Sequence, residues 1–212
     1  MQEITREPIG IGQQRMCFVH PEDPRLAIKI GKNGDDRQNR ADIRFYSGLK
    51  NQGAATGIHI PRFHGSCETN RGDGIVVDLV RNYDGEIARP LNWFLAHGYP
   101  IEEFEESLEA LRQFFLLHLI VFDENLAIDD LLVQKTSASR VRLVAINRLG
   151  QVAKQGALAF LARRKIQRRW EGFIETVYFS REVLLQREAM LSLIHISEPT
   201  RPNAPSRMPS SA

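Results

Sequence analysis

The segment 26–30, Leu-Ala-Ile-Lys-Ile, constrains this chain most, because it places one lysine inside an apolar run. Such a run predicts a buried strand, and a charge on a buried strand requires a partner. Upstream, Gly10 and Gly12 form a Gly-x-Gly turn, where missing side chains let backbone amides approach a phosphate closely. Together these features predict a strand–turn–strand unit that holds Lys29 next to a phosphate-bearing ligand.

Composition excludes several other classes of protein. The chain has 212 residues, 42% hydrophobic and 25% charged, which suits one core divided at most into two small lobes. A formal net charge of +2 gives no argument for a nucleic acid or membrane partner. The two cysteines form no metal motif, and neither a secretory leader nor a membrane-spanning run occurs. We therefore expect a cytoplasmic protein with reduced thiols and no membrane partner.

The region after the lysine strand continues as a small β-rich lobe. Asp35 and Asp36 can cap a helix, because a side-chain oxygen at this position accepts from the first free amides. That helix has one apolar face, formed by Ala41, Phe45 and Leu49.

Two further strands, 58–63 and 74–79, are predicted on either side of the glycine-rich turn 70–74. A glycine strand pair, a lysine strand, one helix and a hairpin follow one another in the N-lobe of a protein kinase. This order predicts a kinase-like N-lobe.

The pattern becomes helical beyond a predicted hinge at 82–85. Pro100 predicts a helix start, and the acidic residues that follow complement the N-terminal dipole. Two short strands are predicted over 131–133 and 141–146. A last amphipathic helix carries an apolar face formed by Ile166, Trp170, Phe173 and Val177.

We therefore predict an α+β protein with a small two-lobed, protein-kinase-like fold. The N-lobe covers 1–84, and a reduced, mainly helical C-lobe with a hairpin like a catalytic loop covers 85–190. Residues 191–212 are predicted to be a disordered or non-native tail. Its first part resembles a peptide translated from sequencing-adaptor DNA, and the rest is rich in proline and serine. A native flexible tail is the alternative.

Kinase-type phosphoryl transfer places a lysine on the phosphates and pairs it with an acidic residue on the following helix. Lys29 fits the first role, and Asp42 lies nearest the expected place of the second, one methylene shorter than glutamate. The glycine turn is less specific, because Arg15 stands where a third glycine is expected. We predict that Gly10, Gly12, Lys29 and Asp42 bind the nucleotide. The alternative is an exposed lysine on an edge strand.

The sequence resembles the YrbL family over most of its length, to about residue 177. The segments that carry the resemblance are 16–24, 28–30, 60–65 and 83–85, with Arg163, Arg164, Lys165 and Trp170 further on. This family is a bacterial group linked to the PhoP regulatory network and similar to protein kinases in fold. The resemblance implies a kinase-like fold in a regulatory setting.

The segment before the strand 131–133 corresponds to a kinase catalytic loop. Kinases place an aspartate base five residues before an asparagine, just upstream of an apolar strand. This alignment puts Asn125 at the base position and Asp130 at the asparagine position. The uncharged amide of Asn125 cannot accept a proton from a substrate hydroxyl. Asp123 or Asp129 could substitute, and the spacing singles out neither.

Asn147 follows the second strand, at the position of the other kinase metal ligand. With Asp130 it supplies one carboxylate and one carboxamide, the two kinase side-chain types with their places exchanged. Oxygen ligands of these types suit Mg²⁺, so we predict that Asp130 and Asn147 hold Mg²⁺ with ATP. The alternative is that both residues are ordinary turn formers.

Three functions are compatible with these observations. The first is a degenerate kinase-like protein that binds ATP and acts through a regulatory protein partner. The second is an active phosphotransferase with a displaced carboxylate base. The third is nucleic-acid binding by the basic run 163–169, but such a run is more often the solvated face of an amphipathic helix. A nucleic acid partner is therefore not expected.

Overall fold

Five antiparallel strands form the N-terminal sheet of the computed structural model, which describes residues 1–54 and 56–196. In the order β1-β2-β3-β5-β4, they are β1 (Gly10–Ile11), β2 (Arg15–Val19), β3 (Leu26–Gly31), β4 (Phe63–Thr69) and β5 (Gly72–Asp78). β3 is central, and Ile28 and Ile30 belong to one apolar cluster while Ala27 joins another. Because both faces of β3 are covered, Lys29 is enclosed, and the predicted lysine strand is confirmed.

One helix, α1 (Arg37–Asn51), packs against this sheet. Asp36 occupies its N-cap position but makes no side-chain capping hydrogen bond, whereas Oδ1 of Asp35 accepts from the Arg37 amide at 3.1 Å. Phe45 and Leu49 are buried in the core, as the sequence predicts. The same helix also buries two polar side chains, those of Asn39 and Asp42. A buried carboxylate requires a cation close by, and that cation belongs to the site described below.

The hairpin β4–β5 begins later than the sequence predicts, so the predicted strand over 58–63 is wrong. Pro61 has no backbone N–H to donate to a ladder, and the Gly57 amide donates to the Ile60 carbonyl in a tight turn instead. Ile60 is nevertheless fully buried, because its side chain packs into the core. The sequence pattern therefore predicted a strand here because the segment is apolar and buried, although it does not pair with another strand.

The rest of the chain is mainly helical, with two small antiparallel sheets. Its elements are β6 (Arg89–Pro90), α2 (Leu91–Ala96), α3 (Glu105–Leu117), β7 (Ile120–Val121), β8 (Leu131–Lys135), β9 (Val141–Ala145), β10 (Gln151–Val152) and α4 (Ala159–Ile196). The sheets have the orders β6-β8-β9 and β10-β7. The predicted strand pair is confirmed as β8 and β9, with Leu131 opposite Ala145. The apolar face that Ile166, Trp170, Phe173 and Val177 form on α4 is buried, as the sequence predicts.

Two details of this part differ from the sequence prediction. Pro100 precedes a single 3-10 turn, Ile101–Phe104, and α3 itself begins at Glu105. The predicted helix start is therefore one turn too early, because a 3-10 turn carries the same start signals. α2 was not predicted, since six residues are too few to show a helical period.

These elements confirm an α+β fold with a β-sheet N-lobe and a mainly helical C-lobe. The predicted boundaries after residues 84 and 190 stay predictions. α4 extends through 191–196, the first residues of the predicted tail, and 197–212 lie outside the described residues. Within the described part of the chain, no helix has the length and apolar character needed to cross a bilayer.

Candidate functional site

A cavity of about 680 Å³ lies between the N-terminal sheet and the segments around β8 and β9. Six of the seven residues predicted from sequence as site residues line it: Gly10, Gly12, Lys29, Asn125, Asp130 and Asn147. The seventh, Asp42, is buried on α1 behind the cavity wall. Segments that are more than 100 residues apart in sequence therefore meet at one cavity.

Lys29 reaches across the cavity from β3 to the segment after β9. Its side chain is almost fully buried, and its ammonium donates to the Ile146 carbonyl and to Oδ1 of Asn147 at 3.4 Å. Burial, followed by the charge of Arg15, lowers the pKa of Lys29 to about 8. Lys29 thus remains mostly protonated at pH 7, although its surroundings favour the neutral amine.

Asp42 has a different partner from the one the sequence predicts. Its Oδ2 lies 2.6 Å from Nη1 of Arg15, and both side chains are at least nine-tenths buried. An aspartate is one methylene shorter than the glutamate of kinases, whereas an arginine on the neighbouring strand β2 is long enough to reach it. The predicted pairing of Lys29 with Asp42 is therefore replaced by an Arg15–Asp42 ion pair.

Arg15 makes further contacts on both sides of the cavity. Nη1 also donates to Oδ1 of Asn39 at 3.2 Å, and Nη2 donates to Oδ1 of Asn147 at 2.7 Å. Sequence reasoning noted Arg15 only as the residue where a third glycine is expected. That substitution was the available signal, because an arginine at this position brings a long cationic side chain to the cavity.

Asp130 and Asn147 lie close together in the cavity lining. Oδ2 of Asp130 accepts from the Ala127 amide at 3.1 Å. Burial raises the pKa of Asp130, and the hydrogen bond from Ala127 and the nearby Asn147 side chain only partly oppose the shift. The single amide oxygen of Asn147 already accepts from Arg15 and Lys29. Magnesium at Asp130 and Asn147 stays a prediction, and it requires this oxygen to exchange partners.

Asn125, at the predicted base position, is exposed in a turn at the mouth of the cavity. Its backbone amide and its side-chain amide both donate to Oδ1 of Asp123 at 2.9 Å. Asp129, the other candidate carboxylate, is exposed and lines the cavity. The position of the kinase base therefore holds a neutral carboxamide that is engaged in a local turn.

The glycine turn at the cavity rim has room for side chains. A Cβ added at Gly10 would meet Cys17 Cβ at 3.9 Å, and one at Gly12 would meet the Arg15 carbonyl oxygen at 3.5 Å. These are ordinary contact distances, and neither glycine has a positive φ. The fold around them, as far as the structure describes it, does not require glycine, so the glycines leave space for a group outside the chain.

Part of the cavity lining is apolar, and one lining residue carries an unused acceptor. Ala27, Val80 and Leu132 belong to this apolar part. Asn92, on α2, also lines the cavity, and its buried Oδ1 has no hydrogen-bond partner among the described residues. A buried acceptor without a donor is costly, so a rotation of the Asn92 amide that presents this oxygen to a ligand donor in the cavity is favourable. Sequence reasoning missed these residues.

The basic run 163–169 lies on the outer face of α4. Arg163, Arg164, Lys165 and Arg168 are exposed. Arg169 differs, because it donates to the Phe122 carbonyl and lies 3.6 Å from Glu124. The run thus forms the solvated face of an amphipathic helix. Its last residue, Arg169, contacts the loop that precedes Asn125.

Both the sequence and the fold of this chain are similar to those of known proteins. The sequence model of the family described as PhoP regulatory network protein YrbL matches residues 4–178. The uncharacterized YrbL proteins of Escherichia coli K12 and Shigella flexneri are each 28% identical over 177 residues, covering 80% of this chain and 84% of theirs.

Among solved structures, the PknI kinase domain of Mycobacterium tuberculosis is similar over 71% of this chain, at 13% identity and a TM-score of 0.45. A double mutant of that domain gives 15% identity and a TM-score of 0.47. The chain spans about 60% of the length of these kinase domains. The family match covers most of the chain from β1 to α4. The chain therefore belongs to the YrbL family.

Proposed function

We propose that this protein is a degenerate kinase-like, nucleotide-binding regulatory protein, with ATP as its ligand in the cavity between the lobes. The observation that carries the proposal is the placement of Lys29. A nearly buried ammonium on a central strand faces a cavity that is also lined by two glycines, at which no side chain stands between the backbone and a ligand. A buried cation next to backbone amides suits a phosphate group.

The apolar part of the cavity lining suits the nucleoside. The apolar side chains of Ala27, Val80 and Leu132 can cover the faces of a planar base. Once the Asn92 amide rotates toward the cavity, its unpartnered Oδ1 can accept a hydrogen bond from a sugar hydroxyl. The cavity therefore offers complementary chemistry to both halves of a nucleotide.

The regulatory part of the proposal is supported by the site and by the family. Asn125 supplies no base, so bound nucleotide would act on conformation or on partner binding rather than as a phosphoryl donor. The family name refers to the PhoP regulatory network, and we extend that setting to this chain. The free thiols of Cys17 and Cys67 fit a reducing cytoplasm.

Isothermal titration calorimetry with ATP and with inorganic tripolyphosphate tests the proposal on the full chain. We expect ATP to bind the wild type. Asn92→Ala should lower the affinity for ATP roughly three- to tenfold, which is the effect of losing one hydrogen bond. Tripolyphosphate, which has no sugar, should bind this variant as it binds the wild type. Since Oδ1 of Asn92 has no partner, its loss should not destabilise the free protein.

The control is Asn51→Ala, a change at the exposed end of α1 that should leave both affinities unchanged. Absence of ATP binding to the wild type would refute the proposed function. If Asn92→Ala lowered the affinities for ATP and tripolyphosphate equally, the nucleoside would not lie at Asn92.

A further inference from the structure

We propose that Arg15 takes the place of a divalent cation, so that the cleft binds the polyphosphate of its nucleotide without metal. This inference rests on the proposed nucleotide function. It follows from three properties of the Arg15 side chain: the donors it has left, the oxygen it occupies, and the buried groups that hold it.

The guanidinium of Arg15 retains donors that point to no described residue. Its hydrogen bonds to Asn39, Asp42 and Asn147 use two N–H groups on Nη1 and one on Nη2. An arginine has five N–H groups. The one on Nε and the second one on Nη2 therefore have no partner among the described residues. These two nitrogens are adjacent in a rigid planar fork, which matches two oxygens of one phosphate. Arg15 lines the cavity, so a ligand there can reach them.

The same guanidinium occupies an atom that a metal would need. Oδ1 of Asn147 accepts from Nη2 of Arg15 at 2.7 Å and from the Lys29 ammonium at 3.4 Å. A carboxamide oxygen has two lone pairs, so these two cations use its acceptor capacity. The nitrogen end of an amide only donates hydrogen bonds and cannot bind Mg²⁺. The two cations therefore stand where a metal would coordinate.

The position of Arg15 is fixed by buried groups behind it. Asp42 holds Nη1 at 2.6 Å, and Asn39 accepts from the same nitrogen. The side-chain amide of Asn39 donates in turn to the Lys29 carbonyl at 3.2 Å, which locks it to β3. Because these groups are already ordered, phosphate binding needs little further ordering of the arginine. Arg148, which also lines the cavity, adds a third cation beside Asp130.

Calorimetric titration of ATP into the full chain, in EDTA and in Mg²⁺, tests this inference. We expect the dissociation constants in EDTA and in Mg²⁺ to agree within about threefold, because the guanidinium supplies the charge that Mg²⁺ otherwise supplies. Arg15→Met should lower the affinity for ATP in EDTA at least about tenfold. Arg44→Met, a change of an exposed arginine on α1, is the matched control and should bind as the wild type does.

Arg15→Met leaves the buried Asp42 carboxylate without its partner, so the variant could fail to fold. The double variant Arg15→Met/Asp42→Asn removes both charges and should show the same loss of ATP affinity in EDTA. ATP binding that occurs only with Mg²⁺, or a folded Arg15 variant that binds ATP normally in EDTA, would overturn the inference while leaving nucleotide binding intact. No binding in either solution would overturn the proposed function, and this inference with it.

Discussion

Replacing Lys29 with methionine is expected to weaken ATP binding roughly 10- to 100-fold, the effect of losing one charge-assisted hydrogen bond to phosphate. Methionine keeps most of the length of lysine and removes the charge together with the hydrogen bonds to the Ile146 carbonyl and Asn147. The free variant should remain folded, because burial already disfavours the ammonium and lowers the pKa of Lys29 to about 8. Calorimetric titration at pH 7 measures the change.

Lys50→Met is the matched control for this experiment. Lys50 is exposed near the end of α1, so its loss removes a lysine charge far from any contact with the cavity. Thermal melts of both variants report whether the fold is retained. A folded Lys29→Met protein that binds ATP as tightly as the wild type would show that the phosphates do not lie at Lys29.

The second large effect concerns catalysis: the wild-type protein is expected to transfer no measurable phosphate from ATP. A positioned base contributes roughly 10²–10⁴-fold to such reactions, and the position of that base holds Asn125. Its side-chain amide donates to Asp123, so Asp123 is itself engaged in the turn. Incubation with γ-labelled ATP, followed by detection of labelled protein and free phosphate, measures this rate.

Lys29→Met serves as the control for contaminating enzymes, because a copurified kinase would be unaffected by a change in this chain. Turnover that disappears in Lys29→Met would contradict the degenerate assignment and favour the displaced-base hypothesis. In that case Asp129→Asn and Asp123→Asn would identify the base, and the exposed Asp129 in the cavity wall is the better placed of the two.

Features that depend on neighbouring residues could be predicted from the sequence. The apolar run around Lys29 favoured a buried strand over an exposed edge strand, and the structure places it at the centre of the sheet. Spacing along the chain likewise placed Asp130 and Asn147 at the two ends of a strand pair. The structure brings both side chains to the cavity that Lys29 enters.

Features that depend on contacts between distant segments could not be predicted in this way. Asp42 is 27 residues from Arg15 in sequence, and no periodic pattern shows that its carboxylate pairs with Arg15 and not with Lys29. The buried Oδ1 of Asn92 is visible only once α2 is seen to border the cavity. The strand predicted over 58–63 failed for a similar reason, because burial of Ile60 comes from packing against remote elements.

The most direct test of nucleotide binding at Lys29 is covalent labelling with an acyl-phosphate derivative of ATP. The neutral amine attacks the acyl carbonyl, a nitrogen–carbon bond forms, the carbon–oxygen bond to phosphate breaks, and ATP and a proton leave. Near pH 8 about half of Lys29 is the free amine, so the reaction is favoured there. Peptide mass spectrometry should find the acyl group on Lys29, and excess ATP should prevent it. An unlabelled Lys29 beside labelled exposed lysines, or labelling that ATP does not block, would contradict the account.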